Sequence, residues 1–261
     1  MPLSLFEFGR GTKLIFLFSD FGLEGPYVGQ VKAVLNQGAS GIPIVDLLSD
    51  APSCDPCTAS YLLAAYDREC RDGDVVLAVV DPGVGGERKA LALLVDGCWY
   101  VGPDNGLFHA VINQSHQNAQ VWQITWRPEA LSATFHGRDL FAPIAARLAC
   151  GSTPSEIGDD YLKPIAVEQL DNIHMAPDSE KILYVDRFGN LITGYRATTL
   201  NPNGTLAIGE HVLPRLRTFS DVSRNVPFCY ENSNGLMEVA VNKGSAAVYF
   251  KLSVGDNVTI V

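Results

Sequence analysis

Four short clusters in this 261-residue chain join glycine to side chains that can do chemistry. They are Ser19-Asp20-Phe21-Gly22, Asp81-Pro82-Gly83-Val84-Gly85-Gly86-Glu87-Arg88, Gly102-Pro103-Asp104-Asn105-Gly106 and Thr134-Phe135-His136-Gly137-Arg138-Asp139. Carboxylate, guanidinium and imidazole bind polar ligands and move protons, and glycine lets backbone approach a ligand closely. Each cluster also has a structural explanation. Asp20 could cap a turn, the glycine-rich run could be a tight loop, and Asp104-Asn105-Gly106 could be turn chemistry alone. A nicotinamide site is discarded, because Gly83-Val84-Gly85-Gly86 lacks the G-x-G-x-x-G spacing and Ala90 onward reads as strand, not helix.

The intervening elements place the first three clusters at strand ends and the fourth just before a helix. Lys13 to Ser19 reads as a buried strand of the parallel-sheet kind, and a helix follows with Val28, Val31, Val34 and Leu35 at helical spacing, stopped by Gly38. Pro43 to Leu48 is a second strand, and Asp55-Pro56 caps a helix running to about Glu69. Val75 to Val80 is a third strand that ends on Asp81. Ala90 to Val95 and Trp99 to Val101 flank Asp96-Gly97, a two-residue hairpin signal. Gly106 to Ile112 and Arg138 to Cys150 read as helices and Val121 to Thr125 as extended.

Strands alternating with helices predict an α/β fold: an N-terminal layered domain with a mostly parallel sheet, assigned to residues 1–170. In such sheets ligands collect at the carboxyl ends of strands. After about Pro177 the texture changes to short segments separated by Asn, Gly and Pro: 181–185, 191–195, 205–208, 211–213, 236–241 and 258–261. That pattern predicts a smaller C-terminal all-β barrel or sandwich over residues 178–261. Residues up to about Thr12, with Gly9 and Gly11, read as a loose lead-in.

Composition narrows the function classes. The formal net charge is −10 and no basic block occurs, so a nucleic-acid partner is disfavoured while a small cation is attracted. No apolar run reaches the roughly 18 residues needed for a membrane span, and Leu14 to Phe18 is too short for a signal-peptide core, so a cytoplasmic location is expected. The six cysteines are scattered through a chain that can stabilise itself by burial, so no disulfide framework is expected, and the lone Cys54/Cys57 C-x-x-C reads as partly buried thiols rather than a redox or zinc pair. His109, His116, His174 and His211 do not cluster with Cys or carboxylates at ligand spacing, so no metal site is expected.

Taken together, the motifs resemble one family. Ser19 to Lys32, Asp81 to Arg88, Gly102 to Leu107, Thr134 to Pro143, Asp186-Arg187-Phe188-Gly189-Asn190-Leu191-Ile192-Thr193, and Asn232-Ser233-Asn234-Gly235 with Glu238, Ala240, Asn242 and Ser245-Ala246-Ala247 are similar, in order, to the S-adenosylmethionine (SAM) hydroxide adenosyltransferases. These are relatives of the fluorinases and chlorinases. The resemblance runs from about Leu14 to the C-terminus. It implies attack of water on C5′ of SAM, giving adenosine and methionine without a cofactor. A sulfonium leaves readily as a neutral thioether, so the difficulty lies in the nucleophile: bulk water has a pKa of about 15.7.

The resemblance assigns the reacting set to Asp81, Arg88 and His136. Arg88 would favour a developing hydroxide, Asp81 would hold Arg88, and His136 would accept or share the water proton. Asp20 resembles the residue that grips the ribose hydroxyls, Asp186 and Asn190 those at the methionine end, with Asp186 on the ammonium, and Ser233 a carboxylate-binding hydroxyl. The halogenases have Arg directly after that Ser; here Asn234 stands, so a carboxylate contact there would come from backbone or amide. The family also implies a homotrimer with SAM between the first domain of one subunit and the second domain of its neighbour. Two alternatives compete: a halogenase, opposed by Asp81 and His136 where the fluorinase has Tyr, and a non-catalytic SAM or adenosine sensor, opposed by the complete reacting set.

Overall fold

The computed structural model describes residues 12–171, 175–201 and 204–261; the lead-in glycines and His174 lie outside the described residues. The N-terminal region contains β1 (Ile15–Ser19), α1 (Tyr27–Gly38), β2 (Ile44–Leu48), α2 (Pro56–Tyr66), β3 (Val75–Val79), β4 (Ala90–Val95), β5 (Cys98–Pro103), α3 (His109–Gln114), β6 (Gln120–Ile124), α4 (Ala142–Ala149), α5 (Pro154–Ile157) and β7 (Leu162–Ile165). Its seven strands form one sheet in the order β2-β1-β3-β5-β4-β6-β7. The β2-β1-β3-β5 half is parallel, and β4, β6 and β7 join antiparallel.

The pairings follow from the residues. β1 and β3 are wholly apolar but for Ser19 and are buried on both faces, as central parallel strands must be. Val31 and Leu35 of α1 and Ile144, Ala145 and Leu148 of α4 pack on Ile15, Leu17, Val75 and Leu77. On the opposite face Ala59, Leu62 and Leu63 of α2 and Ala110 and Val111 of α3 cover Phe16, Phe18, Val76 and Ala78. Asp55 caps α2 by accepting from the Thr58 backbone N–H at 3.0 Å, with Pro56 in the first turn. The chain leaves β1 toward β2 and returns across β1 to reach β3, so the order reverses between β1 and β3. Ser19 pairs with Val79 there, which brings Asp20 and Asp81 to adjacent strand ends at a topological switch point.

The C-terminal region is antiparallel: β8 (Ser179–Val185), β9 (Leu191–Arg196), β10 (Leu206–Ile208), β11 (His211–Val212), β12 (Pro227–Glu231), β13 (Leu236–Val241), α6 (Ala246–Phe250) and β14 (Thr259–Ile260). A four-stranded sheet β12-β13-β9-β8 and a three-stranded sheet β11-β10-β14 enclose Leu191, Leu206, Leu213, Met237, Val239 and Val258. Strands β7 and β12 and the short helices α5 and α6 go beyond the elements read from the sequence. The two regions share packing, since Leu183, Ile192 and Leu236 join the α2 side of the first core. Tyr184 donates to Asp50 at 2.8 Å and Tyr61 to the Ala176 carbonyl at 2.7 Å.

One sequence expectation needs correction. Cys70 and Cys98 form a disulfide rather than remaining free thiols, because the turn after α2 brings Cys70 against the first residue of β5. The other four cysteines, Cys54, Cys57, Cys150 and Cys229, are free.

Candidate active site

The loop after β3 supplies Asp81 and Arg88. Gly85 has φ +79°, and a Cβ there would meet the Ala133 carbonyl oxygen at 2.5 Å, so glycine alone lets this loop close onto the segment that leads to His136. His136 directly precedes a widened π turn, Gly137–Phe141, that runs into α4. Arg88 donates from Nε to Asp81 Oδ1 at 3.0 Å and from Nη2 to Oδ2 at 2.5 Å, a two-pronged pair. The same Nη2 lies 2.9 Å from His136 Nδ1. A guanidinium only donates, so Nδ1 is the acceptor and the neutral ring carries its proton on Nε2.

This cluster is shielded: the Arg88 and Asp81 side chains are 9% and 5% exposed, and His136 is buried. Phe141 lies under the Arg88 guanidinium, 5.1 Å from its ring centre. Burial, and then the Arg88 charge, push the His136 pKa below the usual 6.5, with Asp81 acting in the opposite sense. The ring is therefore neutral near pH 7.

Asp20 stands at the neighbouring strand end, with Oδ2 accepting from the Cys54 N–H at 3.0 Å and its other oxygen without a bond to any described residue. Phe21, which follows it, packs edge-on against Phe135, 5.7 Å between ring centres, and Tyr27 completes the trio. Aromatic packing thus ties the Asp20 segment to the His136 segment.

Asp186, Asn190 and Ser233 gather elsewhere, on a cavity of about 820 Å³ lined by residues of the C-terminal region alone, most of them in the loops between its strands. That volume suits a ligand of cofactor size. The 186–190 loop is held by Asp186 Oδ1, which accepts from the Phe188 and Asn190 backbone N–H groups at 2.8 Å each, while Oδ2 accepts from Asn190 Nδ2 at 3.0 Å. Gly189, φ +80°, closes the loop, and a Cβ there would meet Ser245 Oγ at 2.0 Å. Asp186 keeps lone-pair capacity for one further donor.

The sequence reading assigned no role to several residues of this cavity. Glu238, matched in the motif but unassigned, is buried; it accepts from Tyr230 Oη and, at 3.0 Å, from Asn232 Nδ2. Burial pushes its carboxyl up, opposed by those hydrogen bonds and reinforced by the nearby Asp186 charge. Phe188, Phe219 and Tyr230 supply aromatic walls, whereas Trp99 and Trp122 pack on each other and Trp126 on Tyr161. Tyr230 lies on β12, which the sequence reading did not identify, so no sequence signal separated it from the other tyrosines. Arg68, in the turn after α2, donates to the Ser233 carbonyl at 3.1 Å and braces the 232–235 turn from the first domain.

Among the described residues no group of three or more His, Cys, Asp or Glu could hold a metal ion. His109 is buried at the start of α3, within 3.1 Å of the Asn113 side chain, and His116 lies in a loop where its N–H donates to Asp96. No helix among them is long and apolar enough to cross a membrane.

A shielded carboxylate–guanidinium–imidazole cluster in the N-terminal region and a cavity of ligand size in the C-terminal region are the arrangement of an enzyme of small-molecule chemistry. Residues 15–158 match the SAM hydroxide adenosyltransferase N-terminal domain and residues 180–259 the corresponding C-terminal domain, and the chain belongs to that family. It is 43% identical, over 89% of its length and 93% of the relative's, to the (R)-S-adenosyl-L-methionine hydrolase of Thermus thermophilus. It is 32% identical to the enzyme of the same name from Salinispora tropica, over 95% of this chain and 98% of that one. Among solved structures, an uncharacterized conserved protein from Thermotoga maritima superposes with a TM-score of 0.81 at 27% identity, covering 95% of this chain and 99% of the other.

Proposed function

We infer that this chain hydrolyses S-adenosylmethionine to adenosine and methionine, on the R sulfonium epimer that gives its relatives their name. The observation that carries the mechanism is the shielded chain Asp81–Arg88–His136, with Arg88 donating to both partners. Among the described residues Arg88 Nη1 makes one hydrogen bond, a marginal one of 3.5 Å to the Lys89 carbonyl, which leaves it for an incoming oxygen. His136 offers Nε2–H as a second donor. Two donors and a fixed positive charge stabilise hydroxide as it forms, in a site where water competes little. Asp81 holds the guanidinium and has free lone pairs for the departing proton. The C5′–O bond forms as the C5′–S bond breaks, methionine leaves with the sulfur electron pair, and one proton is released.

In this reading residues 1–170 carry the reaction and residues 178–261 the amino-acid end of the substrate, with Asp20 on the ribose, Asp186 and Asn190 near the ammonium and Ser233 on the carboxylate. No cofactor takes part. A homotrimer in the cytoplasm is proposed, its sites formed where one subunit's Asp81 cluster meets a neighbour's Ser233 cavity. Three features support that assembly. The cavity draws on C-terminal residues only; exposed Leu23 and Tyr27 adjoin the first site; exposed Phe188, Val248 and Tyr249 lie on or beside the second. A halogenase reading is disfavoured by the Asp81 carboxylate, which would repel a halide at the nucleophile position.

The test is incubation with SAM in ¹⁸O-labelled water followed by chromatography and mass spectrometry. Adenosine labelled at its 5′ oxygen is expected; a 5′-halo product in chloride buffer, or no product, would overturn the assignment.

A further inference from the structure

The family halogenases place an arginine directly after the carboxylate-binding serine, and this chain has Asn234 there. The structure removes the backbone as a substitute at that position, because the Asn234 N–H is committed to Asn232 Oδ1 at 2.9 Å. Three other arginines approach the 232–235 turn. Arg68 is engaged by the Ser233 carbonyl on the interdomain side. Arg215 donates to the Asn201 and Gly204 carbonyls at 3.4 and 3.3 Å. Arg217 has no hydrogen bond or ion pair to any other described residue, and its guanidinium is exposed.

The chain path brings Arg217 to the turn. Arg215 makes an isolated parallel bridge to Cys229, and Arg217, two residues on, lines one cavity with Glu231, the last residue of β12 before Asn232 and Ser233. This second cavity, about 550 Å³, is lined by Arg215, Leu216, Arg217, Glu231, Asn232 and Ser233. It meets the substrate cavity at Asn232 and Ser233, which line both.

We propose that Arg217 binds the α-carboxylate of the substrate's amino-acid tail, replacing from the β11–β12 connection the guanidinium absent at position 234. The tail passes Ser233 and ends against Arg217, whose planar fork matches a carboxylate in a way an ammonium cannot. Lys243 is the competing cation, since it lines the main cavity, but it does not reach the second one beside Ser233. The assignment rests on the hydrolase reading above and deepens it.

The experiment compares SAM with its decarboxylated analogue, for the wild type, Arg217→Gln, Arg217→Lys and Lys243→Gln. In Arg217→Gln, KM for SAM rises about ten- to a hundredfold, the range of a lost hydrogen bond to a charged group. Its kcat changes little, its kinetics on the decarboxylated analogue match the wild type, and Arg217→Lys restores part of the loss. An equal penalty on both ligands, no penalty on either, or loss of discrimination in Lys243→Gln instead would overturn the proposal. Calorimetric titration of both ligands runs in parallel. A wild type that binds both but releases no adenosine defeats the hydrolase reading while the carboxylate preference stays measurable.

Discussion

Arg88 Nη2 donates to His136 Nδ1 across 2.9 Å, and that bond dictates the protonation state of the imidazole. Protonating Nδ1 would set two donors against each other and lose the contact. Burial acts in the same direction, which is why the ring is harder to protonate than a free histidine. In the proposed reaction His136 therefore acts as a neutral donor through Nε2, beside the Arg88 guanidinium.

The pH profile should show this. The acid limb of kcat lies below pH 6.5, where His136 finally protonates, and the plateau extends through neutral pH. Because the folded-state pKa is lowered, the native state binds fewer protons than the unfolded chain just below pH 6.5. This stability contribution is present above pH 6.5 and lost as pH falls through the folded value. Proton NMR titration of the His136 ring checks the direction, and in Arg88→Met the midpoint moves up, since a nearby positive charge is gone.

Removing any member of the cluster should affect turnover far more than binding. Asp81→Ala, His136→Ala and Arg88→Lys are each expected to lower kcat by about a hundredfold or more, with KM within a few-fold, as for lost donors to a developing anion. Arg88→Lys is the informative case. It keeps the charge but cannot hold Asp81 in two places and reach Nδ1 as well. Initial rates of adenosine formation over a range of SAM concentrations separate the two parameters.

Glu238 should report on binding instead. Replacing it with Ala leaves the Tyr230 hydroxyl and the Asn232 amide without their acceptor at the cavity floor. An increase in KM of about tenfold is expected, with kcat less affected, together with a lower Tm. Glu238→Gln retains an acceptor and should lie between Ala and wild type. A loss confined to kcat would contradict this placement.

Asp67 is a stability test away from the chemistry. Burial pushes its carboxyl up to about 6, against the hydrogen bond it accepts from Tyr100 Oη at 2.6 Å. With the folded pKa raised, its stability contribution is complete below the unfolded value near 3.8 and is lost as pH rises through about 6. Asp67→Asn should therefore raise Tm at pH 7 to 8 relative to wild type and shrink the gain near pH 5, by calorimetry at each pH.

The Cys70–Cys98 pairing predicts a thiol count. Protein unfolded without reductant should titrate four thiols, those of Cys54, Cys57, Cys150 and Cys229, and all six after reduction. Six thiols before reduction would show that the pair is open in solution.

What was legible in the sequence was what depends on local pattern. The unbroken apolar runs of β1 and β3 announced buried parallel strands, Asp55-Pro56 announced the start of α2, and Asp96-Gly97 announced the β4–β5 hairpin, where both residues have positive φ. The two strands it did not reveal, β7 and β12, each contain a proline, Pro164 and Pro227. Both are edge strands, where a missing N–H is tolerated, so a local breaker signal masked a tertiary pairing. α5 and α6 are four and five residues long, too short to show a helical period.

The candidate site divides in the same way. The resemblance to a known family singled out Asp81, Arg88 and His136, but only the fold placed residue 88 within reach of residue 136, through a loop that folds back at Gly85 and a turn widened before α4. Only the fold fixed which imidazole nitrogen faces the guanidinium, because that depends on an orientation set by packing. The Cys70–Cys98 link, the Arg68 brace on Ser233 and the meeting of two cavities at Asn232 and Ser233 all join residues far apart in the chain. Sequence spacing carries no information about such contacts; they arise when α2 docks against the β sandwich and the sheets close around their shared core.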